Sequence, residues 1–166
     1  PRNVSGHLDV SVGTSVNSDA RTASPGLGLV WSPDGKQIKL LASVRGADRL
    51  FGLDVASGAM TCYTEGERTI ESVSYSTDHT ASAYTQMTPT RLAEVWLWRA
   101  GRKEKRLTRF NDALLRGLAL VEPDRFEFRA SDGAQVEGWT MLPGGPARGK
   151  RPGILQIHGG PRTAYG

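Results

Sequence analysis

The residues whose types and spacing could do chemistry stand at His158-Gly159-Gly160-Pro161-Arg162, directly after the apolar run Ile154-Leu155-Gln156-Ile157. Paired glycines adopt backbone conformations that a Cβ forbids, so a turn built on them can aim amide N–H groups outward at a bound group. Such donors cradle the negative oxygen of a tetrahedral intermediate. The cradle works only if the turn is held still, and the apolar run before it predicts a buried strand that delivers it. Arg162 follows at once. Its guanidinium could read a substrate carboxylate or carbonyl by paired hydrogen bonds, with a solvated arginine as the alternative. His158, at a strand end, reads as hydrogen-bonded support for the turn together with Gly159, and not as a proton shuttle.

Other reactive side chains carry less. His7 and His79 have no metal-spaced partners, so no metal site is assigned. The single cysteine, Cys62, lies between strand-like neighbours and reads as a small buried thiol. The run Arg99, Arg102, Lys103, Lys105, Arg106 and Arg109 surrounds Ala100-Gly101 and reads as a solvated hairpin loop. Trp96 and Trp98 share a strand face with Glu94 and are expected to pack against a neighbouring sheet.

The elements upstream are short alternating strands. Gly28-Leu29-Val30-Trp31 runs into Ser32-Pro33-Asp34-Gly35, where Pro pre-sets φ at the second turn position and Gly accepts a positive one. In the strand that follows, Ile38, Leu40, Ala42 and Val44 share one face, which predicts a half-buried strand. Two more short strands follow, through Phe51-Gly52-Leu53 and Met60-Thr61-Cys62. The series then restarts at Ser72 to Thr80, with Tyr75 in the place of Trp31 and Asp78 in that of Asp34, an offset of 44 residues. Four short strands in a period of about 40–45 residues predict a β-propeller blade. The first strand is expected at the start of the chain, where Leu8, Val10 and Val12 alternate with polar residues.

The repeat ends at Val121-Glu122-Pro123-Asp124, read as a domain crossing because Pro cannot continue a ladder. Beyond it, Phe126, Phe128 and Ala130 alternate, Asp132-Gly133 turns the chain, and Gln135 to Leu142 reads as the returning strand. A flexible loop, Pro143 to Pro152, leads to the apolar run before His158.

Ile157-His158-Gly159-Gly160-Pro161, together with Phe126-Glu127-Phe128-Arg129-Ala130-Ser131-Asp132-Gly133 and the upstream blades, resembles the prolyl oligopeptidase family of serine peptidases, nearest its acylaminoacyl-peptidase branch. The Trp31-Ser32-Pro33-Asp34-Gly35-Lys36 unit is similar to the blade motif of that family's propellers and of TolB-like propellers. The resemblance implies a mainly β chain: the last two to three blades of a propeller over residues 1–121, then the first strands of an α/β-hydrolase domain over 122–166. It implies that the N–H of Gly160 is an oxyanion donor, that acyl transfer needs no cofactor, and that short peptides are the substrates. The nucleophile, aspartate and histidine would lie downstream, since the chain has no Gly-x-Ser-x-Gly. The chain is therefore expected to be a piece of a longer enzyme, inactive by itself, that packs with the remaining segments of the same polypeptide; homo-oligomerisation is left open. An esterase or lipase with a related turn, and a non-catalytic propeller used for binding, are the alternatives.

Composition agrees with this reading. Twenty glycines and nine prolines in 166 residues favour many turns. A net charge of +4 without interleaved stacking aromatics argues against a nucleic-acid surface. One cysteine excludes an internal disulfide and is compatible with a reducing, cytoplasmic setting. The sequence contains no apolar run near the length of a membrane-spanning helix, so no membrane partner is expected.

Overall fold

The computed structural model describes residues 3–8, 10–14, 16–17, 28–145, 149–159 and 164–165. In chain order the strands are β1 (Ser11–Val12), β2 (Val16–Asn17), β3 (Val30–Trp31), β4 (Gln37–Val44), β5 (Ala47–Asp54), β6 (Met60–Cys62), β7 (Thr69–Tyr75), β8 (Ala81–Thr88), β9 (Arg91–Arg99), β10 (Lys105–Arg106), β11 (Asp124–Arg129), β12 (Gln135–Thr140) and β13 (Ala164–Tyr165). One short helix, α1 (Asp112–Leu115), follows β10.

Two antiparallel sheets form the body. In the first, β4 carries β5 and then β6 on one edge, while β1 and β3 divide the other: β3 pairs with Ile38 and Lys39, β1 with Ala42 and Ser43. The second is a plain meander, β7-β8-β9-β10, in which β7 alone covers the same length of β8, with a bulge between Ile70 and Ser72. Each sheet is thus a four-position blade, and the chain is mainly β with propeller-like blades.

The turn that enters each blade is the same device used twice. Ser32 Oγ lies 2.6 Å from Asp34 Oδ1 and accepts the N–H of Gln37 at 2.9 Å, while Asp34 Oδ1 accepts the N–H of Lys36 at 3.1 Å. Forty-four residues on, Ser76 Oγ lies 2.7 Å from Asp78 Oδ1 and accepts the N–H of Ala81 at 3.0 Å, and Asp78 accepts the N–H of Thr80 at 3.1 Å. These bonds tie the turn to its own side chains, which is why Ser and Asp recur there.

The first sheet is covered on both faces. Leu40, Ala42, Phe51 and Leu53 form one core cluster, against which Val4, Leu8 and Val10 pack. Leu41 and Leu50 turn the other way and join Ile70 and Tyr84 of the second sheet, with Val73, Trp96 and Trp98 around them. The half-buried strand expected for β4 is therefore buried on both sides, because the second sheet stacks on the face that bears Lys39, Leu41 and Ser43. Burying two faces also gives β4 and β5 their near-continuous apolar reading, Leu40-Leu41-Ala42 against Leu50-Phe51-Gly52-Leu53.

Three expectations change. The alternation at Leu8, Val10 and Val12 is not one strand: only Ser11–Val12 pairs, Leu8 and Val10 pack inward, and Val12 is 45% exposed. Gln135 to Leu142 shortens to β12, ending at Thr140, because Asp124 of the partner strand is the last residue it can pair with. The buried strand expected at 154–158 is absent: this stretch pairs with no strand, and Ile154 and Ile157 are 99% and 80% exposed. A central hydrolase strand is buried by strands at both edges and helices on both faces, and among the described residues none of these flanks the run.

Candidate functional site

The turn expected to do chemistry is described only in part. His158 and Gly159 are exposed, and His158 Nδ1 lies 3.1 Å from the carbonyl oxygen of Gly159, an adjacent-residue contact. Gly160, Pro161 and Arg162 lie outside the described residues. Cys62 is half-buried with Sγ 3.3 Å from the Thr64 carbonyl, and burial pushes its thiol up, the opposite of nucleophile activation. Among the described residues no three His, Cys, Asp or Glu side chains are grouped to hold a metal ion, and no helix is long and apolar enough to cross a membrane.

The polar side chains that do converge lie between the two sheets and the β11–β12 hairpin. The joint begins at Arg45-Gly46, the two-residue turn between β4 and β5, with φ of 53° and 72°. That pair of positive angles makes the tight turn whose twist matches its strands. Asn or Asp is the usual occupant of the first position, so a long side chain is uncommon there, and here the guanidinium has a use. Arg45 Nε donates to Glu137 Oε1 at 2.7 Å and Nη2 to Glu127 Oε1 at 2.6 Å. Glu127 and Glu137 are directly opposite each other in the hairpin, where like charges repel. Arg125 Nη2 donates to the same two oxygens at 2.6 and 2.7 Å, so two guanidinium groups neutralise the carboxylate pair. Burial would raise the Glu137 carboxyl, but the hydrogen bonds and charges of Arg45 and Arg125 hold it below the ordinary value.

Behind this joint opens a cleft of about 330 Å³. Arg68, Gln86, Trp96 and Arg106 line it from the blade, Arg125 and Trp139 from the hairpin side. Arg68 Nη1 donates to Gln86 Oε1 and Glu104 Oε2, both at 2.7 Å, and Glu104 Oε1 accepts the Tyr84 hydroxyl at 2.7 Å. Arg106 Nη2 lies 2.5 Å from Asp112 and 3.2 Å from Glu94, while its Nε is buried with no hydrogen-bond partner.

Glu94, nearly fully buried, is the anchor of the cleft floor. Burial alone would raise its carboxyl; the Thr108 hydroxyl, the backbone N–H of Asn111 at 2.9 Å and Arg106 outweigh it and bring the pKa down to about 2. A carboxylate this well supplied with donors fixes Arg106 and the chain after β10, including α1.

By sequence Arg106 belongs to a run expected to be solvated. Arg99, Arg102 and Lys103 are indeed exposed, but Arg106 pairs opposite Trp96 across β10 and β9 and points into the cleft. Arg45, Arg68 and Trp139 carry no sequence signal, because the partners of each stand on other elements and no local spacing marks them. Trp98 behaves as expected, packing 4.9 Å from Tyr63 across the two sheets.

No protein-family profile matches the chain. The chain is similar to a Bacillus subtilis (strain 168) protein described as uncharacterized peptidase YuxL, with 27% identity over 161 residues, 96% of this chain and 24% of that protein. The chain thus spans about a quarter of the length of that relative. Among solved structures it is similar to the acylaminoacyl peptidase of Pyrococcus horikoshii in its orthorhombic crystal form, at TM-score 0.54 and 25% identity over 65% of this chain and 16% of that one. An acylaminoacyl peptidase in complex with Z-Gly-Gly-Phe-chloromethyl ketone matches in fold at TM-score 0.56, with 24% identity over 67% of this chain and 17% of that one. The sequence comparison thus returns a protein described as a peptidase, and the solved structure matched at 25% identity is an acylaminoacyl peptidase.

Proposed function

We propose that this chain is part of a serine peptidase of the acylaminoacyl type, hydrolysing short peptides through an acyl-enzyme. The observation that carries the reading is the likeness to a peptidase over 96% of the chain, joined to a fold in which two blade-like sheets are followed by a β-hairpin. Residues 1–121 supply propeller wall and 122–166 open the α/β-hydrolase domain.

In this reading a serine supplied elsewhere in the polypeptide attacks the scissile carbonyl, a histidine takes its proton and returns it to the leaving amine, and an aspartate orients the histidine. The backbone N–H of Gly160 donates to the oxygen as it becomes negative. His158 and Gly159 hold the turn, and Arg162 selects among substrates through a carboxylate or carbonyl. The chemistry uses protein groups only, so no cofactor takes part. The propeller walls restrict access to short peptides, and a cytoplasmic setting accords with the single cysteine.

The test uses the full-length protein. It should be labelled by a fluorophosphonate serine probe and should release product from N-acylated and short peptides while leaving folded proteins intact. Hydrolysis of simple esters without any peptide cleavage would replace this reading by an esterase, and a protein that neither labels nor cleaves would be a binding module.

A further inference from the structure

The stretch from the β9–β10 turn through α1 has no part in the acyl transfer just described, yet it presents a surface of one consistent chemistry. We propose that it docks peripherally on an anionic lipid surface, with Phe110 and Leu114 entering the interface and the flanking cations meeting lipid phosphates. The docking stands whether or not the protein cleaves peptides.

Between Arg99 and Leu118 each exposed residue is basic, apolar or glycine. The acids and the other polar side chains turn inward and are bonded there. Glu104 accepts from Arg68 and Tyr84, Asp112 pairs with Arg106, and Thr108 and Asn111 donate to Glu94. Through β10 and its flanks this sorting alternates as in a strand: Lys103, Lys105, Leu107 and Arg109 are exposed, while Glu104, Arg106 and Thr108 are not.

The exposed cations are Arg99, Arg102, Lys103, Lys105, Arg109 and Arg116. Among the described residues only Arg109 of these six makes an ion pair, with Asp112 at 3.4 Å, and its side chain stays 74% exposed. The segment has no exposed carboxylate to balance them, so its complement is anionic.

The complement is also apolar. Phe110, Leu114 and Leu118 are 80%, 60% and 51% exposed. They are held out by a fixed backbone and not by a loose one: the N–H of Asn111 donates to Glu94 at 2.9 Å and its side-chain amide to the Ala93 carbonyl at 3.1 Å. Contiguous apolar side chains kept in water by such bonds mark an interaction site.

A lipid interface fits this pairing better than the other anionic surfaces. Side chains that project singly need matching pockets on a protein, whereas a fluid interface takes them as they stand, with lysine and arginine stems lying along it. Stable peripheral binding requires two signals, apolar insertion and a basic patch, and this segment carries both. Nucleic acid is met by stacking rings, and Phe110 is the only ring between Arg99 and Leu118. Among the described residues no helix can cross a membrane, so the contact is with the headgroup region.

The experiment is sedimentation of the full-length protein with vesicles of phosphatidylcholine alone or mixed with phosphatidylglycerol in equal parts. The mixed vesicles should bind it at least about tenfold more strongly, and added salt should weaken that binding. Lys103→Gln with Lys105→Gln should lower it by about tenfold or more, whereas Lys36→Gln, at an exposed lysine of the first sheet, should bind as the parent does. Phe110→Ser should weaken binding and leave its salt dependence in place. Equal binding to the two kinds of vesicle, no binding to either, or a loss in Lys36→Gln as large as in the double variant would each overturn the proposal. So would protection of Phe110 and Leu114 from hydroxyl radicals in the vesicle-free protein, which would show that another part of the polypeptide or a second copy covers the patch.

Discussion

His79 stands at φ 55° in the turn position that Gly35 holds at φ 68° in the preceding blade. The surrounding hydrogen bonds repeat almost bond for bond: the N–H of Gly35 donates to the Ser32 carbonyl and that of His79 to the Ser76 carbonyl, each at 2.9 Å. The turn is therefore specified by its Ser and Asp, and these impose a left-handed conformation on whatever residue comes fourth. At the second site that residue is not idle. The His79 ring stacks on Tyr75 with centroids 5.5 Å apart, and its carbonyl accepts a hydrogen bond from the buried Lys39 ammonium at 2.5 Å. Lys39 lies within 5.2–5.5 Å of the ring centroids of Tyr63, Tyr75 and Trp98, so one cation joins the two blades through three rings and a carbonyl. Burial pulls the Lys39 pKa below its ordinary value.

Substitution at position 79 should follow backbone strain first and ring contact second. His79→Gly keeps the main-chain carbonyl for Lys39 and removes the strain, so its loss of ring stacking should leave stability within about 1 kcal/mol of the parent. His79→Val places a β-branched side chain in the left-handed region and should destabilise by roughly 1–2 kcal/mol or more. Denaturant unfolding of the full-length protein measures both. A valine variant as stable as the glycine one would show that the turn does not impose this conformation.

The repeat was legible in sequence because it lives in local chemistry. Ser32-Pro33-Asp34-Gly35 announces its turn, and the degraded copy at Ser76-Thr77-Asp78-His79 kept the two residues whose side chains make the bonds. Strand alternation located β4 and the hairpin, and the repeat located the second sheet. What sequence could not show is which faces meet. Lys39 reads as the polar side of a half-buried strand until the second sheet is laid on it, and nothing near Arg45 in the sequence marks Glu127 and Glu137, 82 and 92 positions away, as its partners. The cleft is a product of those long-range meetings. The His158 turn stands the other way round: its motif is local and readable, whereas the strand expected to deliver it depends on neighbours that the described residues do not include.

The Arg45 fork should hold the hairpin to the blade. Arg45→Gln removes the charge while keeping a polar side chain, and leaves Arg125 alone to separate two opposed carboxylates. Amide exchange across Phe126–Phe128 should then speed up by about tenfold at low salt, while exchange in β4 and β5 stays as it was. In the parent, raising salt should narrow the difference, because exposed pairs are screened. Unchanged exchange in the hairpin would mean that the fork contributes no stability there.

Glu94 sets an acid limit on the region after β10. Its folded pKa, about 2, lies below the ordinary carboxylate value of 4.5, so the stability it contributes is fully present above about pH 4.5 and drains away as pH falls toward 2. Glu94→Gln should lower stability at neutral pH and flatten the acid slope by about one proton over that window. Stability measured at pH 7, 4 and 3 tests this. Parallel pH curves for parent and variant would place the low pKa elsewhere.

Arg162, by the peptidase reading, meets a substrate terminus. Arg162→Ala in the full-length enzyme should cost roughly 1.5–3 kcal/mol in kcat/KM on substrates with a free C-terminus, the worth of a charge-assisted hydrogen bond. The amidated versions of the same substrates should lose much less. Equal losses on both would remove carboxylate recognition from this residue.

Gly160 is the residue on which the catalytic reading most depends. If its N–H faces the developing oxyanion, the turn must stay open to the substrate carbonyl, and a β-branched side chain would strain the backbone and crowd that approach. Gly160→Val should lower kcat by about 10²–10³, or roughly 2.7–4 kcal/mol, the usual cost of one lost oxyanion donor. KM should change less, since contacts remote from the scissile bond are untouched. The comparison is made on a chromogenic peptide with the full-length enzyme, after an unchanged melt shows that the variant is folded. A folded Gly160→Val enzyme with near-normal kcat would take Gly160 out of the oxyanion hole and leave the His158–Arg162 turn a structural one.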